Sequence, residues 1–433
     1  MTSTEILYQH FLEHPIVCTD TRNIVKDCLF FALKGDNFDA NTFADKALEA
    51  GAAFAIIDNA SLKTSDKHIL VEDVLTILQD LARWHRSRLN IPVIGLTGSN
   101  GKTTTKELIK AVLAEKFKTF ATHGNLNNHI GVPLSILSLT SETEIAVIEM
   151  GANHQKEIEL LCNIAQPTHG LISNVGMAHL DGFGGFEGVK KGKAELYAWI
   201  KANNGHAFVY RDNEDLMDMS QKAQLDDILY YGAGAENYVS GQLLSSDPLL
   251  KIQWSREGKE YKVSANLTGS YNFENILAAI CIGLFFKVGP QQIIEGLEGY
   301  HPKNNRSQLT KTENNTVICD FYNANPSSMA AALNNLRQLQ ADNKVIIIGD
   351  MFELGPESAG QHELIANQAA NLKVAQTLFI GKHFYEMKGK IDGLFFETPK
   401  EATAYLQENN INNSLILLKG SRGMALEQLL PLL

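Results

Sequence analysis

Short apolar runs alternate with longer polar stretches of helical period along the chain, the pattern of a mixed α/β protein. Between residues 28 and 57, CLFFAL reads as a buried strand, Asn41 to Ala50 as a helix closed by Gly51, and AFAII as a second strand. A further helical stretch covers Val71 to Arg88. Pro92 then introduces the strand VIGLT, where a larger unit begins, so a first boundary falls near residue 89. That unit carries apolar strands at Ile145 to Met150 and Gly170 to Val175 with helices between them, which predicts a parallel α/β sheet, and its last helix is Asn272 to Phe286. After Tyr300-His301-Pro302 the chain alternates strand and helix four times, from TVICDF, KVIIIGD, TLFIG and LILLKG. With Pro326 just inside a helix start after Asn325, this predicts a Rossmann-like, doubly wound unit. No G-x-G-x-x-G turn follows its first strand, so a nicotinamide cofactor is not indicated. The expected fold is α/β in three domains, 1–89, 90–300 and 301–433, in keeping with about 150 residues per domain over 433.

Composition narrows the class. Apolar residues make up 44% and charged residues 20%, enough for real cores and too little charge for a disordered chain. Lys plus Arg is 38 against 49 for Asp plus Glu, a net charge of -11 that opposes wholesale binding to nucleic acid or an anionic membrane. Cys18, Cys28, Cys162, Cys281 and Cys319 are scattered with no C-x-x-C pair, which argues against a disulfide framework and for a reducing compartment. The start, MTSTEILYQHFLEHP, lacks the basic and apolar regions of a signal peptide. The longest apolar run, Ile276 to Phe286, has 11 residues, short of the ~20 that span a bilayer. A cytoplasmic protein is expected.

The strongest chemical signal follows VIGLT: Gly98, Ser99, Asn100, Gly101, Lys102, Thr103, Thr104, then an amphipathic helix. Strand, glycine turn, Lys, hydroxyl and helix is the layout that cradles a triphosphate. Its glycines let backbone N–H groups converge on phosphate oxygens, and the helix N-terminus adds its positive dipole end. Lys102 would reach the β and γ phosphates and Thr103 would sit on Mg²⁺. The general expression wants Gly six residues before Lys, where this chain has Leu96.

Glu149 ends an apolar strand in AVIEMGANH, where a carboxylate could bind Mg²⁺ or simply face solvent. His179 lies in the glycine-rich stretch NVGMAHLDGFGG, as a metal ligand or a structural imidazole. GVKKGKAELY places Lys190, Lys191 and Lys193 near a helix start, where cations oppose the dipole and a solvated basic patch is the plainer reading.

Set side by side, TGSNGKTTTK, GNLNNHIGVPLSIL, EMGANHQKEIE, NVGMAHLDGFG, GSYNFENILAA, DFYNANPSSM, GDMFELG and LLKGSRGMALE resemble the Mur ligases, ATP-dependent amide-forming enzymes of peptidoglycan precursor synthesis, over nearly the whole chain. In that family the phosphate loop is shortened. YNANP and KGSR resemble the branch that adds D-alanyl-D-alanine to UDP-N-acetylmuramoyl-tripeptide, and a DNPR-type stretch is absent. The resemblance implies ATP held by Gly98 to Thr104, with Thr103 and Glu149 on a first Mg²⁺ and a second Mg²⁺ near His179 and a carbamylated Lys193. It puts Asn272 and Asn275 on the adenine, Arg306 on the γ phosphate and Asp320 at the ribose. Asn323, Asn325, Lys419, Ser421 and Arg422 would face the cleft. Asp20-Thr21-Arg22 before LFFALKG resembles the UDP-binding segment, with Thr21 in place of the usual Ser. The implied roles are UDP-substrate binding for 1–89, ATP binding for 90–300 and completion of the nucleotide and dipeptide site for 301–433, in a monomer. Alternatives are another amino-acid ligase of the superfamily, third-residue-adding or folylpolyglutamate-type, or a P-loop ATPase without ligase activity.

Overall fold

A computed structural model describes residues 3–433. Three main sheets follow one another along the chain. The first has four parallel strands in the order Val17–Cys18, Leu29–Phe31, Phe54–Ile57 and His68–Leu70. The helix expected from Asn41 opens as a 3₁₀ turn, Ala40–Phe43, and becomes α-helical at Ala44–Glu49. The expected helix from Val71 is also shorter. His68–Leu70 pairs with Phe54–Ile57 instead, and Asp73 caps the helix Val74–Ser87 by accepting the Thr76 N–H. Because the apolar run of that strand merges with the first apolar positions of the helix, periodicity alone could not separate them.

The second sheet has nine strands in the order Lys259–Ser264, Lys251–Arg256, Val239–Ser245, Ile228–Gly232, His206–Tyr210, His169–Ile172, Val93–Thr97, Ile145–Glu149 and Thr119–Ala121. Only its far edge is antiparallel, an up-and-down extension over 239–264 without the apolar runs that mark the other strands. A further helix, Pro290–Gly299, was unanticipated. The chain lays Thr119–Ala121 and Ile145–Glu149 on one side of Val93–Thr97 and then crosses to the other with His169–Ile172, which opens a crevice at the C-terminal end of that strand, where α/β sheets bind ligands. The apolar run Ile276 to Ile282 lies in the buried helix Phe273–Phe285, and among the described residues no helix is long and apolar enough to cross a membrane.

The third sheet runs Gln308–Lys311, Thr316–Asp320, Leu415–Lys419, Lys344–Gly349, Gln376–Ile380 and Leu394–Phe396, parallel apart from its first strand. After the last strand the chain forms 3₁₀ turns, Arg422–Met424 and Leu426–Leu432, rather than the expected helix, with Pro431 inside the second turn. All five cysteines are free and buried.

Apolar packing divides the molecule unevenly. One cluster joins Leu7, Phe11 and Phe31 of the first sheet's layer to Val132, Ile136 and Leu161 of the second, with Leu78 and Leu81 of helix Val74–Ser87 between them. That helix is also tied by polar bonds: Gln79 Nε2 donates to His129 O (3.0 Å), and Arg86 donates to the carbonyls of Leu89 (2.7 Å), Ala165 (2.9 Å) and Gln166 (3.1 Å). Ala165 ends the helix Glu157–Ala165, so the guanidinium sits at a helix C-terminus, where positive charge is favoured. The third sheet has its own clusters on its two faces.

Candidate active site

The phosphate loop leaves the buried strand Val93–Thr97 at Gly98, whose φ of 149° suits only glycine, and a Cβ there would come within 2.0 Å of Ser173 Oγ. Gly101 (φ 74°) begins the helix Lys102–Ala114, whose first-turn N–H groups lack intrahelical acceptors. Lys102 is folded back on its own loop and donates to Gly98 O (2.7 Å) and Ser99 O (3.2 Å). Burial brings its pKa down to about 8; nearby Glu149 opposes that shift and Arg306 adds to it.

Beneath the loop, Thr103 Oγ1 donates to Glu149 Oε1 (3.2 Å), as does Asn127 Nδ2 (2.9 Å). Glu149 is 1% exposed, so the solvent-facing alternative does not hold, and its Oε2 is buried without a hydrogen-bond partner. A free carboxylate oxygen beside a threonine hydroxyl is a donor set of hard oxygens that fits Mg²⁺. Among the described residues no three His, Cys, Asp or Glu side chains converge, so most ligands of such an ion would be phosphate and water, as Mg²⁺ prefers. Lys106, fully buried, stands 4.0 Å from Glu149 Oε2 and donates to Thr122 O (2.6 Å). Sequence reading passed over Lys106, because a lysine in a helix reads as exposed.

His179 (φ 53°) lines the cleft, and its Nδ1 is paired with the carboxylate of Glu353 from the third sheet's unit. Lys193 is not at a helix start. It lies in the middle of Phe186–Ala202, 2% exposed, with its Nζ 5.3 Å from the centre of the Phe183 ring. Burial, reinforced by the Lys102 charge, holds its pKa well below the lysine range. Lys190, by contrast, pairs with Glu187 and Asp215 as a surface residue does.

On the opposite wall, Asn275 Oδ1 accepts from Thr105 Oγ1 (2.9 Å), and its Nδ2 donates to Asn272 Oδ1 (2.9 Å). Asn272 Nδ2 donates to Thr268 O, so neither side chain caps the helix. Between them Glu274, unnoticed in the sequence, accepts from Asn174 Nδ2 (3.0 Å), and burial pushes its carboxyl up to about 7.

The third sheet presents its own C-terminal edge to this cleft. Asp320 Oδ2 pairs with Lys419 Nζ (2.7 Å), and Asp320 Oδ1 accepts the Ser307 N–H (3.2 Å). Arg306 stacks 3.9 Å over the Tyr322 ring with its Nε buried and unpaired. Asn325 caps the helix Pro326–Gln338, and the Asn323 carbonyl accepts from Lys419 (3.3 Å). Ser421 and Arg422 do not line the cleft: Ser421 Oγ accepts the Phe352 N–H (3.0 Å), and Arg422 stacks 5.1 Å from the Tyr322 ring centre. Asp20, Thr21 and Arg22 also lie outside it, on the first unit. There Arg22 chelates the Asp20 carboxylate (2.7 and 2.9 Å) and lowers its pKa to about 2.

Ser99 to Lys102, Thr104, Glu149, Asn272, Asn275, Arg306, Asp320, Asn323, Asn325 and Lys419 thus share one cavity of about 680 Å³ between two parallel sheets that face each other by their C-terminal edges. That geometry defines a nucleotide-using enzyme in which a phosphate loop on one sheet is closed over by charged residues from another. Residues 96–283 match the Mur ligase middle domain and residues 305–422 the Mur ligase, glutamate ligase domain. The chain is 34% identical to the UDP-N-acetylmuramoyl-tripeptide--D-alanyl-D-alanine ligase of Bacillus subtilis, over 95% of this chain and 92% of that protein. It superposes on MurF from Acinetobacter baumannii with a TM-score of 0.86 at 32% identity, covering 96% of this chain and 92% of that one. For the MurF ligase of Thermotoga maritima in complex with ADP the TM-score is 0.85 at 27% identity, covering 97% of each chain. The protein belongs to the Mur ligase family.

Proposed function

We propose that the protein is an ATP-dependent ligase that joins D-alanyl-D-alanine to UDP-N-acetylmuramoyl-tripeptide through an acyl phosphate, releasing ADP and phosphate, in the cytoplasm and as a monomer. The observation that carries this reading is the full-length likeness to ligases of that name, at 34% identity over 95% of the chain. The cleft supports it. In our reading, residues 1–89 take the UDP end, with Asp20, Thr21 and Arg22 at the uridine diphosphate; 90–300 hold ATP; and 301–433 complete the nucleotide site and take the dipeptide.

The terminal carboxylate of the tripeptide attacks the γ phosphate, so two anions must meet. Lys102 leaves the carbonyls of Gly98 and Ser99 for the phosphates, exchanging neutral acceptors for charged ones. Arg306, its Nε unpaired, meets the transferring phosphoryl group from the other wall. Thr103 and Glu149 would hold Mg²⁺, which would supply positive charge to offset the repulsion between the two anions. Asp320, fixed by Lys419, accepts from the ribose, and Asn272 and Asn275 border the adenine. Asn323 and Asn325 face the dipeptide side. We assign Ser421 and Arg422 to the support of that wall through Phe352 and Tyr322.

Lys193 suits carbamylation. A buried amine held below its usual pKa keeps the lone pair that attacks the carbon of CO₂; one proton leaves to solvent and an anionic oxygen ligand remains. With His179 it would serve a second Mg²⁺.

The test is phosphate release from ATP with lysine- and diaminopimelate-containing UDP-tripeptides, with and without D-alanyl-D-alanine. Release that requires both partners is expected. Release that ignores the dipeptide would overturn the ligase reading.

A further inference from the structure

Asn100, at the crown of the phosphate loop, is bonded to both walls of the cleft. On the central side its N–H donates to Asn174 Oδ1 (2.9 Å), and its carbonyl accepts from Ser173 Oγ (2.7 Å) and Asn174 Nδ2 (3.1 Å). On the other side its carboxamide is engaged at both ends: Nδ2 donates to Ser327 Oγ (2.9 Å), and Oδ1 accepts from Asn325 Nδ2 (2.8 Å). Ser327 Oγ donates in turn to Asn325 Oδ1 (2.9 Å), closing a ring of three side chains.

Two consequences follow. The N–H groups of Ser99 and Asn100 both go to Asn174, which leaves Gly101 as the first loop amide without such a bond. The Asn100 side chain, with donor and acceptor both used, is no nucleotide ligand. It instead reaches the first turn of Pro326–Gln338, the helix that follows the strand ending in Asp320. Space for the ring is kept by Gly176, where a Cβ would come within 2.7 Å of Ser327 Oγ and 3.1 Å of Asn100 Nδ2. Serine is too short to span the gap, and aspartate would lose the donor and bring a negative charge beside the phosphates.

We propose that Asn100 is a positioning residue: its carboxamide sets the C-terminal unit over the phosphate loop, so that Arg306 and Asp320 are in register with a nucleotide held by the loop. The proposal rests on the ligase reading for its kinetic readout, and a structural readout stands apart from it.

The experiment compares wild type with Asn100→Ala, Ser327→Ala, the double variant and Gly176→Ala in kcat, KM for ATP, ADP affinity and radius of gyration with ADP bound. Two neutral hydrogen bonds bear on placement, so Asn100→Ala is expected to lower kcat by on the order of tenfold or more while ADP affinity changes by less than about threefold. Gly176→Ala, which leaves every hydrogen-bonding group in place, should reproduce the kcat loss. The double variant should be no worse than Asn100→Ala alone, and the variants should be more expanded than wild type. ADP affinity falling in step with kcat would make Asn100 a ligand and overturn the proposal; so would losses in the double variant that multiply. If wild type shows no dipeptide-dependent turnover, the ligase reading fails, and the radius of gyration and ADP affinity still decide the role of Asn100.

Discussion

His179 and Glu353 meet across the cleft, and each holds a left-handed backbone, φ 53° and 62°, that side chains other than glycine rarely adopt. Such conformations persist where the surroundings over-determine them, commonly at functional sites. A cation that takes His179 at Nδ1 must displace Glu353. Glu353→Gln is therefore expected to lower the Mg²⁺ concentration for half-maximal turnover, by up to about fivefold given the modest worth of an exposed pair. A Mg²⁺ titration at saturating ATP measures this; an unchanged or raised midpoint would show that the pair does not compete with the ion.

Lys102 carries its charge below about pH 8 and loses it above. Binding of ADP uses the charged form, so ADP affinity should decline as pH rises through 8, by up to tenfold per unit. Lys102→Met should bind ADP more weakly with a flat profile over the same range. It should lose turnover by at least about 100-fold and, if residues 1–89 take the UDP end as proposed, still bind the UDP-substrate. A parallel decline with pH in the variant would assign the titration elsewhere.

Glu274 stays protonated in the folded protein up to about pH 7, because burial raises its pKa above the ordinary carboxyl value, against the pull of Asn174. The unfolded chain ionises near 4.5. Its contribution to stability is therefore full below pH 4.5 and lost as pH rises to 7, on the order of 3 kcal/mol. Urea unfolding of Glu274→Gln should show a weaker decline than wild type across that window. Equal slopes would mean that Glu274 is already ionised when folded.

Lys193→Ala should abolish turnover, and added bicarbonate should not restore it, since no amine is left to carry the carboxyl group. In wild type, ¹³C-bicarbonate should give a carbamate signal that the variant lacks. Full activity of Lys193→Ala would remove this residue from the chemistry.

The phosphate loop was legible because its chemistry is contiguous: glycine, lysine and threonine stand within a few residues after a strand. Glu149 could be placed at a strand end, but its burial depends on Asn127 and Thr103 reaching it from two other segments. Lys193 was misplaced for a reason visible in the sequence afterwards. Val189, Lys193, Leu196 and Ile200 share one helical stripe, so the lysine lies among core positions, while Lys190 and Lys191 drew attention to the wet face. The strands over 239–264 carry alternation rather than an apolar run, with Ile252 and Trp254 inward and Gln253 between them, a period-2 signal that apolar runs do not show. Nothing local pairs Asn100 with Asn325, 225 residues apart, or His179 with Glu353. Those partners exist only once two sheets turn their edges toward each other.

The unequal distribution of apolar clusters decides which part of the molecule is free to move. Residues of the first and second sheets share one oily seam, so parting them would wet leucines and phenylalanines. Across the other junction the contacts between side chains include Asn100 with Asn325, Tyr271 with Ser307, Thr268 with Asn335 and His179 with Glu353, all groups that water can serve as well. The C-terminal unit hangs on contacts of the second kind. It can lift and settle again while exposing little apolar surface, whereas the first two units stay joined along their shared core.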